Sequence, residues 1–294
     1  MHPNPNLRLY RLTNINELHN GLQYHDGIVE DPLSFQPTGN CSAGGMYFFD
    51  ETQLHLYNKY VENAYWIREV QLLPDSRVYA ETDKYKTDKF VLKPRKLFDF
   101  NDLLNYVNLQ YLSKKQLHEV MIIAANKDSM PVIKGLLIYG IDIHANNDQA
   151  LRCAARYGNS SVVELLLETG SACFNANRNE ALRFASKNGH SSVVNLLIKA
   201  GADVHANEDE ALRNSSKRGH AAVVELLLKA GANVHANNDE ALLEASSNGH
   251  DRVVELLLDG QFYTLSIKSR ALRRSVTYGS VYRQLVKAGA RIDI

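Results

Sequence analysis

The chain has 294 residues, too many for one small core and enough for two bodies at about 100 to 200 residues per domain. Lysine plus arginine equals aspartate plus glutamate at 33 each, so no global field gathers phosphates or anionic lipid, and nucleic acid is disfavoured as a partner. The three cysteines, Cys41, Cys153 and Cys173, lack zinc-site spacing and are expected as reduced thiols. No run of about 18 apolar residues is present to span a bilayer.

In chain order, MHPNPNLRLYRLTN has no apolar signal-peptide core, and an intracellular, cytoplasmic protein is expected. Leu7 to Thr13 alternates like a strand. Asn14 with Glu17 then has the form of a capping box for a short helix ended by Gly21. A Pro/Gly-rich loop from Asp31 to Gly45 precedes the strand-like Met46 to Phe49, after which Asp50 and Gln53 have the spacing of a helix start. Trp66 to Leu73, Arg77 to Ala80 and Lys89 to Leu92 are further strand candidates. Residues 1–98 therefore read as a small α+β domain, followed by a linking helix over 99–112.

From Ser113 onward the composition changes and a period takes over. Gly158, Gly189, Gly219, Gly249 and Gly279 recur at intervals of 31, 30, 30 and 30 residues. The clearest copies read EALRFASKNGHSSVVNLLIKAGADVHAN from Glu180 and EALRNSSKRGHAAVVELLLKAGANVHAN from Glu210. Each holds two short helical patterns. Ala181, Leu182 and Ala185 share one face of the first, which Gly189 ends. Val193, Val194, Leu196, Leu197 and Ile198 make the second broadly apolar, with Gly201 closing it. One such hairpin cannot bury its own faces, so copies must stack. Six copies fit, with Asp128 replacing the first helix-ending glycine and a polar last copy, bearing Tyr282, Arg283 and Gln284, acting as a C-terminal cap.

GHSSVVNLLIKAGADVHA resembles the G-H-x-x-V-V-x-L-L-L-x-x-G-A-D-V core of the ankyrin repeat, and the resemblance runs over residues 113–294. The resemblance implies a mostly α fold, a solenoid of about six helical hairpins behind the α+β domain. The usual T-P-L-H turn is absent, replaced by NEDEALR at Asn207 and NNDEALL at Asn237, where Asn, Asp and Glu are expected to cap the helix and oppose its dipole. This short version, with HANN between copies, is similar to ankyrin-repeat proteins encoded by giant DNA viruses of amoebae.

In ankyrin arrays the first helices line a concave face. The resemblance therefore places Arg152, Arg183, Arg213 and Arg273 there as a ladder, joined by Arg156, Lys187, Lys217, Arg218 and Arg274 and broken by Leu243. The position after the ladder varies as Cys153, Phe184, Asn214, Glu244 and Arg274, as a surface that chooses a protein partner would. Glu180 with Arg183 and Glu210 with Arg213 have the three-residue spacing of pairs within one helix. His144, His205 and His235 form one histidine ladder and His190, His220 and His250 another. Equivalent positions about 8 to 10 Å apart cannot share one ion, so backbone hydrogen bonding between repeats is expected and no metal.

The expected function is a non-enzymatic adaptor that binds a host or viral protein, with no cofactor. An alternative lies in the N-terminal order YRLT, NGL, GGMYFFD and IREVQL, which resembles the ADP-ribosyltransferase fold. That resemblance implies NAD near Arg11 and Thr13, nicotinamide stacked on Tyr47, and Glu69 stabilising the oxocarbenium. The order Glu69-Val70-Gln71 departs from the family's Gln/Glu-x-Glu pair.

Overall fold

The computed structural model describes residues 3–13, 18–19, 22–31, 33, 35, 46–53, 66–81, 84–97, 99–169, 176–259, 263–275 and 277–291. These form two compact units, residues 1–124 with 129–141 and residues 125–128 with 142–294. Of the helix expected from Asn14 to Gly21, the described residues Leu18–His19 form a strand instead, because they pair with Leu22–Gln23; its other residues, most of the loop before Gly45 and the residues after the turn at 51–53 fall outside the described residues, as do Cys41 and Cys173.

In the first unit, β1 (Leu9–Thr13), β4 (Gly27–Glu30), β5 (Met46–Asp50), β6 (Trp66–Gln71), β7 (Val78–Ala80), β8 (Tyr85–Thr87) and β9 (Lys89–Leu92) pair in the order β4-β9-β6-β1-β5-β8-β7. All pairs are antiparallel, and β10 (Lys96–Leu97) adds to β6. A separate two-stranded ribbon joins β2 (Leu18–His19) to β3 (Leu22–Gln23). One sheet face buries Met46, Phe48, Val70, Phe90 and Leu92 with Tyr24 and Val29. There Phe48 stacks on Tyr85 at 5.3 Å and meets Phe90 edge-on at 6.4 Å. Tyr10 points to the other face, edge-on to Tyr106 at 5.8 Å, and burial pushes its hydroxyl pKa up to about 12.

The linking segment is a 3-10 turn (Phe100–Asp102), the short α1 (Leu103–Tyr106) and a second 3-10 turn (Leu109–Tyr111). Buried Glu51 ties it to the sheet: its carboxylate accepts from the Arg8 backbone N–H at 3.0 Å, Arg8 Nη2 at 3.2 Å and the Asn108 backbone N–H at 2.9 Å. Removing a buried carboxylate orphans those donors. Glu51→Ala is expected to destabilise this unit by about 3 kcal/mol. Trp66, the chain's only tryptophan, lies in β6, so the loss is read as a lower urea midpoint in its fluorescence.

Six helical hairpins follow. The first pairs α2 (Lys114–Asn126) with α3 (Met130–Tyr139). A capping box starts α2: the Ser113 N–H donates to Gln116 Oε1 at 2.9 Å and the Gln116 N–H to Ser113 Oγ at 3.3 Å. Within the first unit this hairpin is held to the linking segment by Ser129 Oγ, 2.8 Å from Asn101 Oδ1.

The other five hairpins lie in the second unit: α4 (Ala145–Tyr157) with α5 (Ser160–Thr169), α6 (Ala176–Asn188) with α7 (Ser191–Lys199), α8 (Ala206–Arg218) with α9 (Ala221–Lys229), α10 (Ala236–Ser247) with α11 (Asp251–Leu258), and α12 (Leu265–Arg274) with α13 (Gly279–Lys287). Buried small pairs, Ala154–Ala155, Ala185–Ser186, Ser215–Ser216 and Ala245–Ser246, let successive first helices approach closely. Val162, Val163, Val193, Val194, Val223, Val224, Val253 and Val254 fill the layer under the second helices.

The Asn/Asp stretches do not cap their helices as expected. Asn146, Asn147 and Asp148 are all left-handed, with φ of 53°, 59° and 53°, and so are Asn207 to Asp209 and Asn237 to Asp239. Asn and Asp tolerate this region better than other residues with a Cβ, and they fill eight of these nine positions, Glu208 being the exception.

The last copy departs from the period. Gly279 lies in the first turn of α13 rather than ending α12, and the Tyr278 ring covers Gly249 where histidine covers the equivalent glycine in other copies.

Candidate partner-binding face of the repeat array

The arginine ladder pairs between repeats, not within a helix. Arg152 Nη1 is 2.6 Å from Glu180 Oε2, Arg183 Nε is 3.2 Å from Glu210 Oε2, and Arg213 pairs with Glu240. The same guanidinium groups reach back to carbonyls of the left-handed turn: Arg152 Nη2 donates to Asn146 O at 3.1 Å, and Arg213 donates through Nε to Glu208 O at 2.9 Å and through Nη2 to Asn207 O at 3.0 Å. The left-handed turn leaves those carbonyls without helical partners, and one planar five-donor side chain satisfies them while bridging to the next copy. The expected pairs Glu180–Arg183 and Glu210–Arg213 are therefore replaced. Arg152, Arg183 and Arg213 are half-buried braces of the stack.

The histidine ladders divide their work. His144, His205 and His235 place Nδ1 against the carboxylates of Asp148, Asp209 and Asp239 in the same copy. Asp209 Oδ1 also accepts from the Asn233 N–H of the next copy at 2.7 Å, as Asn179 Oδ1 accepts from the Asp203 N–H at 2.9 Å. His190, His220 and His250 make the expected bond to the neighbouring backbone, with Nε2 at 3.0 to 3.1 Å from the carbonyls of Arg156, Lys187 and Lys217. Among the described residues, no three His, Cys, Asp or Glu side chains gather as metal ligands.

Burial holds the His220 imidazole below its ordinary pKa, against a smaller upward pull from the Lys187 carbonyl and with Arg218, His190 and His250 adding to the depression. A depressed value means the unfolded chain takes the proton first. This contribution to stability is whole above the ordinary 6.5 and is lost as pH falls from there toward the folded value. The urea midpoint, followed by helical circular dichroism, should drop between about pH 7.5 and about pH 5.5, and drop less in His220→Gln.

Leu243, Asn214 and Glu244, expected on the partner face, are otherwise engaged. Leu243 is 3 % exposed, a core residue where the ladder would have an arginine. It cannot meet a partner, because the apolar side chain turns into the stack. Asn214 Nδ2 donates to Glu210 Oε1 at 3.2 Å. Glu244 lies 3.1 Å from Lys217 and 3.7 Å from Arg274. What remains outward is a row in the last turns of the first helices: Arg156, Lys187, and Lys217 with Arg218. Arg156, Lys187, Arg218 and the exposed Arg273 have no ion pair among the described residues. The Arg156 guanidinium lies 5.7 Å from the centre of the half-exposed Phe184 ring. Cys153 is half-buried, and burial raises its thiol pKa.

In the first unit, the four residues of the NAD alternative are split by the sheet register. Tyr10 faces Glu69 across β1 and β6 and Phe49 across β1 and β5, so Tyr10, Glu69 and Tyr47 share a face. Arg11 and Thr13, one residue out of phase with Tyr10, lie on the other. Arg11 donates to the Tyr47 carbonyl with its guanidinium 4.0 Å from the Tyr24 ring centre. Tyr47 is buried under Lys84 and Lys86 at 4.5 and 5.5 Å, and Glu69 is exposed. The four do not converge on one site.

Comparison with known proteins agrees with the geometry. A family model described as ankyrin repeats in three copies matches residues 120–208, and a single ankyrin-repeat model matches residues 211–239. An ankyrin repeat protein of Acanthamoeba polyphaga mimivirus is 28 % identical over 172 residues, 56 % of this chain and 69 % of that protein. Among solved structures, the human ASB11 ankyrin repeat domain matches with a TM-score of 0.52 at 21 % identity, covering 59 % of this chain and 85 % of that one. An ankyrin repeat domain from Acinetobacter baumannii matches with a TM-score of 0.50 at 26 % identity, covering 58 % and 98 %. With stacked hairpins, helix-ending glycines and these matches together, the chain carries ankyrin repeats over residues 120–208 and 211–239.

Proposed function

We propose that the array is the working part of a non-enzymatic adaptor, gripping a host or viral protein in the host cytoplasm through the face made by its first helices. The ankyrin array is a protein-interaction module. The single observation that carries the choice of face is the division of its cations. Three arginines are spent inside the stack, while Arg156, Lys187 and Arg218 stand exposed and without ion pairs among the described residues. The position after the ladder also differs in each copy, Cys153, Phe184, Asn214, Glu244 and Arg274, and variation there changes recognition through the half-exposed Phe184 and the exposed Arg274, while Asn214 and Glu244 bond within the array. The first unit supplies a second contact or closes the array.

The test is capture from lysate with the full chain, comparing wild type with Arg156→Glu/Lys187→Glu and with Lys199→Glu, an exposed charge on the second helix of the third copy. Loss of the captured protein only in the double variant is the expected result. Equal capture by all three would exclude the first-helix face.

A further inference from the structure

The chemistry of the partner follows from where the unspent charge lies, and rests on the face assigned above. Glu180, Glu210 and Glu240 are each taken by an arginine of the preceding copy, and Asp148, Asp209 and Asp239 by histidines. The charged groups that α4, α6 and α8 themselves carry toward their C-terminal ends are cations, and of these Lys217 alone has an ion pair among the described residues, with Glu244 of α10. Arg156, Lys187 and Lys217 recur two residues before Gly158, Gly189 and Gly219, Arg218 adds a second cation in α8, and the row lapses in α10, which has no basic residue in its last turn. A cation near a helix C-terminus also answers the helix dipole, but that need is the same in α10. The lapse marks the row as a local feature of copies two to four.

We propose that this row seats an acidic polypeptide segment lying across the stack, its carboxylates repeating at the spacing of the helices. Packed helices lie about 8 to 10 Å apart. A polyproline II chain turns once every three residues and rises about 3.1 Å per residue, so its every third side chain returns to the same face after about 9 Å. The match is to Asp or Glu at every third position. Arg156 and Arg218 can hold such carboxylates through two parallel N–H donors, and Lys187 as a point charge. The half-exposed Phe184 ring under Arg156 gives an apolar side chain of the same segment a surface to pack on.

The experiment uses the full chain and fluorescein-labelled peptides read by anisotropy. One peptide carries Asp at every third position, and a second has the same composition with its aspartates contiguous. The spaced peptide is expected to bind about tenfold more tightly than the clustered one. Lys187→Glu and Arg156→Glu should each weaken it by about tenfold or more, with unchanged melting temperature, and Lys199→Glu should leave it unchanged. Equal affinity for both peptides, or for a single-stranded oligonucleotide of equal charge, would reduce the row to unspecific attraction and overturn the proposal. If neither peptide binds, while lysate capture is still lost in the double variant, the face stands and its acidic partner falls.

Discussion

Gly189→Ala should cost the array about 3 kcal/mol, far more than a glycine-to-alanine change on most surfaces. Two constraints meet at this residue. Its φ is 81°, a region that costs a residue with a Cβ about 1 to 2 kcal/mol. An added Cβ would also lie 2.7 Å from His220 Nδ1 and 2.8 Å from Cε1, because the ring of the next copy packs directly on the glycine. Relieving that overlap moves the imidazole off the Lys187 carbonyl, 3.1 Å from Nε2, and loses a bond worth about 1 kcal/mol. Gly231 isolates the first term: its φ is 92°, yet nothing lies within 4 Å of the position of an added Cβ. Gly231→Ala should therefore cost only about 1 to 2 kcal/mol. Helical circular dichroism in urea measures both. Equal midpoints for the two variants would show that His220 does not pack on Gly189. The double variant Gly189→Ala/His220→Ala should be less destabilised than the sum of its parts, since the overlap can be relieved only once.

Asp209→Ala should cost a similar amount, about 3 kcal/mol, at a position that looks from the sequence like an ordinary helix start. The carboxylate is 4 % exposed and one oxygen serves two groups, His205 Nδ1 at 3.1 Å and the Asn233 N–H at 2.7 Å. Alanine removes both bonds, leaves the Asn233 N–H unanswered between copies, and is less suited than aspartate to a φ of 54°. Asp209→Asn keeps an acceptor and a residue that tolerates the left-handed turn, and the preceding copy already uses Asn179 in the same bond to Asp203. It should cost less than about 1 kcal/mol. Amide hydrogen exchange reports where the loss falls. In Asp209→Ala, protection should drop first at Asn233 and in the adjoining α8 and α10. An unchanged Asn233 amide would remove the inter-repeat role of this carboxylate.

Much of the architecture was legible because the repeat states it six times. Glycine at fixed intervals, two valines four and five residues later and a run of leucines leave little choice of element or stacking. The left-handed position of Asp128, read as a replacement for glycine, holds, with φ at 56°. Strands at Leu9, Met46, Trp66, Val78 and Lys89 were readable from apolar alternation. Gly27–Glu30 and Tyr85–Thr87 were not, being short, polar in part and recognisable only through the strands they pair with.

The site was less legible for a geometric reason. Sequence spacing favours the pair three residues apart on one helix, so Glu180 with Arg183 looked natural. Stacking brings the arginine of one copy as close to the glutamate 27 or 28 positions later, and the carbonyls freed by the left-handed turn decide between them. Three consecutive left-handed residues are too costly to expect from propensity alone. Without that turn, nothing in the sequence distinguishes the arginines that brace the stack from those left facing outward. Leu243 shows the same limit. It occupies a ladder position by period, yet its side chain is core.

The most direct measurement is a hydrogen-exchange footprint of the full chain with and without its captured protein partner. Added protection is expected within residues 145–157, 176–188 and 206–218, the first helices of copies two to four, with the second helices 191–199 and 221–229 unchanged. Protection confined to the second helices, or to the sheet between residues 9 and 97, would contradict the first-helix face.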